Sequence, residues 1–197
     1  MENIAEKNSK NISVTEKRTL TTQQMALTGV MTAVTCIIGP FVFPLPISPV
    51  PISLTNLVIY FALYLLGSKL GTVSYLIYLL LGFAGLPVFS GFTGGVGKLA
   101  GPTGGYLVGF IIMAIISGYF IDRFPKQKSL QAAGMVLGTV VCYIFGTLWL
   151  SKQLGISFLA GVGVGVIPYL PGDAIKIALA VIAGPKLKKR VLRAAGR

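Results

Sequence analysis

The chain contains no histidine, one tryptophan, two cysteines and only five acidic residues among 197. The missing histidine excludes a serine–histidine intramembrane protease and leaves no credible metal-ligand set. Glu2, Glu6 and Glu16 lie in the polar N-terminal stretch and Asp122 closes an apolar segment, so Asp173 is the one carboxylate placed to sit in a membrane. A dicarboxylate protease therefore lacks its second acid, and a proton or sodium antiporter would more typically carry several. Charged residues make up 11% of the chain, against about 25% in soluble domains. Cys36 and Cys142 fall in apolar runs without ligand-like spacing and read as reduced, buried thiols. The first twenty residues also lack the short apolar core of a cleaved signal peptide.

What remains is strongly apolar: 54% of residues are hydrophobic. Several apolar runs approach the roughly 18–20 residues that cross about 30 Å of hydrocarbon. Six segments are expected, near 24–38, 52–66, 70–86, 102–121, 130–150 and from Pro168 or Pro171 to Gly184-Pro185, with a short apolar piece at 155–166. The expected fold is an all-α membrane protein of six transmembrane helices. Residues 1–20 would form a cytosolic tail and 21–197 one substrate-binding domain. The net charge of +12 comes from basic residues that flank the apolar runs, which suits membrane lipid rather than nucleic acid. Fourteen of the 17 basic residues fall in the N-terminal tail, the second and fourth loops and the C-terminus, leaving Lys98, Lys152 and Lys176. The positive-inside rule then places both termini in the cytosol. Nine of the 11 prolines fall on the outward half. Non-helical backbone at membrane depth is tolerated where it is buried or lines a cavity, so irregular outward loops, including the proline-dense 39–51, are expected to form a ligand pocket.

Within Pro168-Tyr169-Leu170-Pro171-Gly172-Asp173-Ala174-Ile175-Lys176, Asp173 and Lys176 share one helix face. Each would cost roughly 2.5–3.5 kcal/mol at the bilayer centre on insertion scales. Asp173 also reads as a helix N-cap and Lys176 as a snorkelling side chain. A cation in the first turns of a helix is at the unfavourable end of the dipole and calls for an anion, either Asp173 or a ligand. The third loop is rich in glycine; Gly94, Gly95, Gly104 and Gly105 surround Thr103. They serve either close packing or close approach of backbone donors to a ligand. Gly95-Val96-Gly97-Lys98-Leu99-Ala100 matches G-x-G-x-x-A, but no strand precedes it. A P-loop reading also fails, at Phe92 and Leu99. The outward aromatics Phe41, Phe43, Phe89, Phe92, Tyr106 and Tyr169 are divided by nothing in the sequence between an interfacial belt and pocket walls.

The runs GLPVFSGFTGGVGKLAGPTGGYLVGF (85–110), SPVPISLTN (48–56) and PYLPGDAIK (168–176) resemble the BioY family, the biotin-binding S components of energy-coupling factor transporters. The resemblance spans all six segments. It implies biotin capture near the outer face, no catalysis and no cofactor. It also implies a transmembrane coupling protein and two cytosolic ATPase subunits that alone use ATP. By this resemblance Asp173 and Lys176 bind biotin, with Asn56, Phe92, Gly94, Gly95, Thr103, Gly104 and Tyr106 as further candidate contacts. A small-residue face of Ala26, Gly29 and Ala33 would meet the coupling protein; Gly29 stands where the family has alanine. Thr55, followed by Asn56, replaces a usual glutamine, and Lys98 stands where the family is apolar. Two other readings share much of this pattern: an S component for another vitamin, and a self-contained small-molecule carrier.

Overall fold

The computed structural model describes residues 20–46 and 48–194; the expected tail lies almost wholly outside them. Helix α1 (Thr22–Ile38) opens with a capping box between Thr21 and Gln24. Each supplies a partner for the other's otherwise unpaired backbone N–H. Two antiparallel strands follow, β1 (Val42–Leu45) and β2 (Ser48–Ser53). The proline-dense stretch expected to be irregular is therefore a hairpin. A two-stranded ribbon leaves each strand an outer edge where a residue without an N–H breaks no ladder bond, so Pro44, Pro49 and Pro51 are accommodated.

Helix α2 (Thr55–Phe83) joins the second and third expected segments, but Gly67 within it has φ 79° and ψ 174°. That backbone conformation favours glycine, and it reverses the chain. A Cβ at Gly71 would lie 3.0 Å from Leu63 Cα, whereas residues eight apart in a straight helix are separated by about 12 Å. The arms 55–66 and 68–83 thus pack against each other. The Asp122 carboxylate accepts from Ser68 N at 2.7 Å, meeting a free donor at the positive end of the second arm.

A short helix α3 (Val96–Ala100) precedes α4 (Gly104–Arg123), α5 (Lys128–Leu154), α6 (Phe158–Gly165), a 3₁₀ turn (Ile167–Tyr169) and α7 (Leu170–Ala194). Helix α7 runs past the expected stop and carries Pro185 in its interior. Its basic last turn suits the negative end of the dipole. Four helical stretches among the described residues are long and apolar enough to cross a membrane: Thr55–Phe83, Gly104–Arg123, Lys128–Leu154 and Phe158–Val191. Six such stretches were expected. The difference arises because α1 is short at 17 residues and because α2 counts once although it is folded into two arms.

Glycines let the helices meet closely. The Tyr64 ring lies where a side chain on Gly184 would project, Phe89 fills the same space at Gly82, and Tyr106 does so at Gly146. At one end of the bundle, Tyr64 donates to Gln131 Oε1 at 2.8 Å and Gln131 donates to the Phe124 carbonyl at 2.8 Å. At the other end the hairpin, the third loop and the start of α7 converge.

Candidate functional site

These converging elements enclose a cavity with about 660 Å³ of space, counting its open mouth. Its walls come from β2 (Val50, Pro51, Ser53), both arms of α2 (Asn56, Tyr78), loop three (Ser90), the start of α4 (Thr103, Tyr106, Leu107, Phe110), Tyr143 on α5, Gly165 on α6, Tyr169, and Asp173 and Lys176 on α7.

The polar end of this cavity is built around one carboxylate. Asp173 lies in the first turn of α7, where the helix dipole favours an anion. Its Oδ1 accepts from Asn56 Nδ2 at 2.9 Å and from Lys176 Nζ at 2.9 Å, and Tyr143 donates its hydroxyl proton to Oδ2. Its recorded partners are side chains from three helices, in place of the backbone N–H of a helix cap. Lys176 is 8% exposed and turns inward, donating also to the Ser53 carbonyl. Snorkelling is thus replaced by an inward pair. Ser53 is held by its own turn, its Oγ accepting from Thr55 N at 3.0 Å and meeting Thr55 Oγ1 at 2.6 Å. Desolvating two charges is costly unless they are paired and hydrogen-bonded, and this arrangement supplies the pair and most of those bonds.

A second clasp closes the hairpin onto α7. The Tyr169 hydroxyl lies 2.7 Å from Ser48 Oγ and meets the Val50 carbonyl. Strand β2 is therefore fastened to the α7 region at both ends, by Tyr169 and by Lys176. Tyr106 uses its hydroxyl on the Gly165 carbonyl and Thr147 Oγ1, each at 3.1 Å. It joins α4 to α5 and α6 and offers the cavity mainly its ring. The single tryptophan, Trp149, donates to the Gly101 carbonyl at 2.9 Å, and Gln153 donates to the Ala100 carbonyl at 2.9 Å. These bonds fix the turn that delivers Thr103.

Of the expected contacts, Asp173, Lys176, Asn56, Thr103 and Tyr106 line the cavity, and Phe92, Gly94, Gly95 and Gly104 do not. Gly104 packs against the Leu99 backbone and Gly94 against that of Leu86. Their lack of a side chain thus serves loop packing. Phe92 is 60% exposed and stacks edge-on with Phe41 at 5.3 Å. The outward aromatics divide accordingly: Phe89 is fully buried, Tyr106 and Tyr169 are cavity walls, and Phe41, Phe43 and Phe92 are exposed. Lys98 sits half-buried on α3, away from the cavity walls, and burial holds its ammonium below the usual lysine range. Ala26, Gly29 and Ala33 lie on the exposed face of α1, opposite the buried Thr28, Met31, Thr32 and Thr35.

Ser53, Tyr78, Ser90, Phe110 and Tyr143 are cavity residues that sequence reasoning did not single out. Tyr143 carried one usable signal, since it follows the small and polar positions Gly138, Thr139 and Cys142 on the inward side of α5.

The profile of the BioY family matches residues 9–193. The biotin transporter BioY of Thermotoga maritima is 35% identical over 167 residues, covering 85% of this chain and 96% of the relative. The probable biotin transporter BioY of Pyrococcus horikoshii is 39% identical over 142 residues, 72% of this chain and 83% of the relative. Among solved structures, the S-component for biotin from an ECF-type ABC transporter superposes with a TM-score of 0.79 at 31% identity, covering 90% of this chain and 95% of that one. The chain belongs to the BioY family.

Proposed function

We propose that this chain captures biotin in the cavity and works as the S component of an ECF-type transporter. Transport would be energised by two cytosolic ATPases through a transmembrane coupling protein. The chain is a transport protein and not an enzyme. The observation that carries the reading is the largely buried Asp173–Lys176–Asn56–Tyr143 cluster at one end of a mostly apolar cavity. Its unused hydrogen-bonding capacity can be counted. A carboxylate offers roughly four lone-pair sites, an ammonium three protons and an amide nitrogen two. Asp173 accepts three bonds, Lys176 donates two and Asn56 Nδ2 donates one. About one acceptor site and two donors are left over for a ligand. A cyclic urea presents the complement, a carbonyl oxygen beside an N–H. Tyr78, Tyr106, Leu107 and Phe110 supply apolar wall for the thioether ring.

The same reading orients the chain with both termini in the cytosol of a multi-pass cell-membrane protein. Counting the two arms of α2 separately, α1, α4, α5 and α7 complete six crossings. Membrane lipid surrounds the exposed apolar side chains, and anionic headgroups meet Lys186, Lys189, Arg190 and Arg193, all exposed on α7. A self-contained carrier is the competing mechanism, and an S component for another vitamin is the competing substrate. Reconstitution in liposomes separates them. Biotin uptake should require the coupling protein, both ATPases and ATP. Uptake by this chain alone would establish the carrier, and uptake of a different vitamin in place of biotin would overturn the substrate.

A further inference from the structure

Tyr143 lies on α5, four turns from the start of the helix and remote in sequence from every other member of the polar cluster. Its phenolic O–H donates to Asp173 Oδ2, while Asn56 and Lys176 both converge on Oδ1. The carboxylate is a rigid plane, so one torsion places both oxygens and a donor on either oxygen helps to set it. The carboxylate can pivot about its Cβ–Cγ bond, because that terminal torsion has no sharp rotamer wells. Tyr143 holds that torsion from the Oδ2 side, opposite the two Oδ1 donors, and its own ring is held by packing against the buried core.

Resting on the biotin reading above, we propose that Tyr143 is a positioning residue for substrate recognition. By locking Asp173 Oδ2 it sets the direction of the acceptor left for the ligand. Through Oδ1 it also sets the directions of the spare Asn56 and Lys176 protons. Three helices (the first arm of α2, α5 and α7) thereby contribute to one polar template. The role differs from simple filling of space, because the ring fills the same volume with or without its hydroxyl.

The test is a double-mutant cycle on the purified full chain, read by biotin titration. Tyr143→Phe should weaken biotin about tenfold or more, the loss expected when a hydrogen bond to a charged group is removed. Its thermal midpoint should stay close to that of the parent. Asp173→Asn should weaken biotin as well, and Asp173→Asn combined with Tyr143→Phe should bind no more weakly than Asp173→Asn alone, because Tyr143 acts only through Asp173. Parent-like affinity in Tyr143→Phe would overturn the proposal, as would a double variant whose loss is the product of the two single losses. Failure of the unmodified chain to bind biotin would overturn the underlying reading instead, so the two failures are told apart by the parent titration.

Discussion

Replacing Lys176 with alanine should weaken biotin binding by roughly thirtyfold or more. Removing one member of a buried, hydrogen-bonded charge pair costs about 2–5 kcal/mol, and each 1.4 kcal/mol is tenfold in affinity. Lys176 makes two contacts that disappear together, to Asp173 Oδ1 and to the Ser53 carbonyl. The first loss leaves the carboxylate without its compensating cation. The second releases the C-terminal end of β2, which walls the cavity through Val50, Pro51 and Ser53. Lys176→Met retains much of the aliphatic stem but neither contact, so it should lose nearly as much affinity. Its thermal midpoint then separates recognition from packing. Calorimetric titrations showing parent affinity in both variants would remove Lys176 from the site.

Gly29→Leu should abolish uptake by the assembled transporter while leaving biotin binding at its parent value. A side chain at Gly29 would meet nothing within 4 Å, so the substitution has no neighbour in this chain to disturb. The interior face of α1 is secured separately, by Met31 and by Thr32, whose Oγ1 lies 3.0 Å from Ser74 Oγ. Small residues let one helix approach another closely in a membrane, and leucine at the middle of Ala26, Gly29 and Ala33 would hold the coupling protein away. Uptake counted against binding on the same preparation is the check. Equal loss of both would mean that the change disrupts α1 itself.

The legible and illegible parts of this molecule differ for physical reasons. Asp173 and Lys176 stood out because charge in an apolar helix is expensive, and their spacing of three put them on one face. Asn56 was named only through the family resemblance, beside Thr55, which stands where that family usually has glutamine. Tyr143 shared no such signal: an aromatic ring inside a membrane helix is ordinary, and only the fold shows its hydroxyl reaching α7. The glycine-rich loop carried a different ambiguity. Gly94 and Gly104 were read as candidate backbone donors to a ligand, but the space a side chain would need is occupied by the carbonyls of Leu86 and Leu99. Close packing and close ligand approach demand the same residue type, so composition does not distinguish them.

The hairpin at 42–53 shows the same limit in secondary structure. Its prolines ruled out helix, yet pairing depends on the register Val42 to Ser53 and Phe43 to Ile52, which local propensity does not encode. Gly67 falls between the expected segments 52–66 and 70–86, and the chain does turn there. Its left-handed backbone and the Asp122 carboxylate behind it are tertiary facts. Apart from α7, which runs well past its expected stop at Gly184-Pro185, the apolar segments were readable to within a few residues of their ends, because hydropathy and length are sequence properties.

The central claim is that the cavity under the hairpin takes biotin, gripped at its polar end by the Asp173 cluster. Calorimetric titration of the detergent-purified chain with biotin, with other vitamins as competitors, tests it most directly. The account predicts saturable, high-affinity binding of one biotin per chain that the other vitamins do not displace. A folded chain that gives no binding signal with biotin, or that prefers another vitamin, would contradict it.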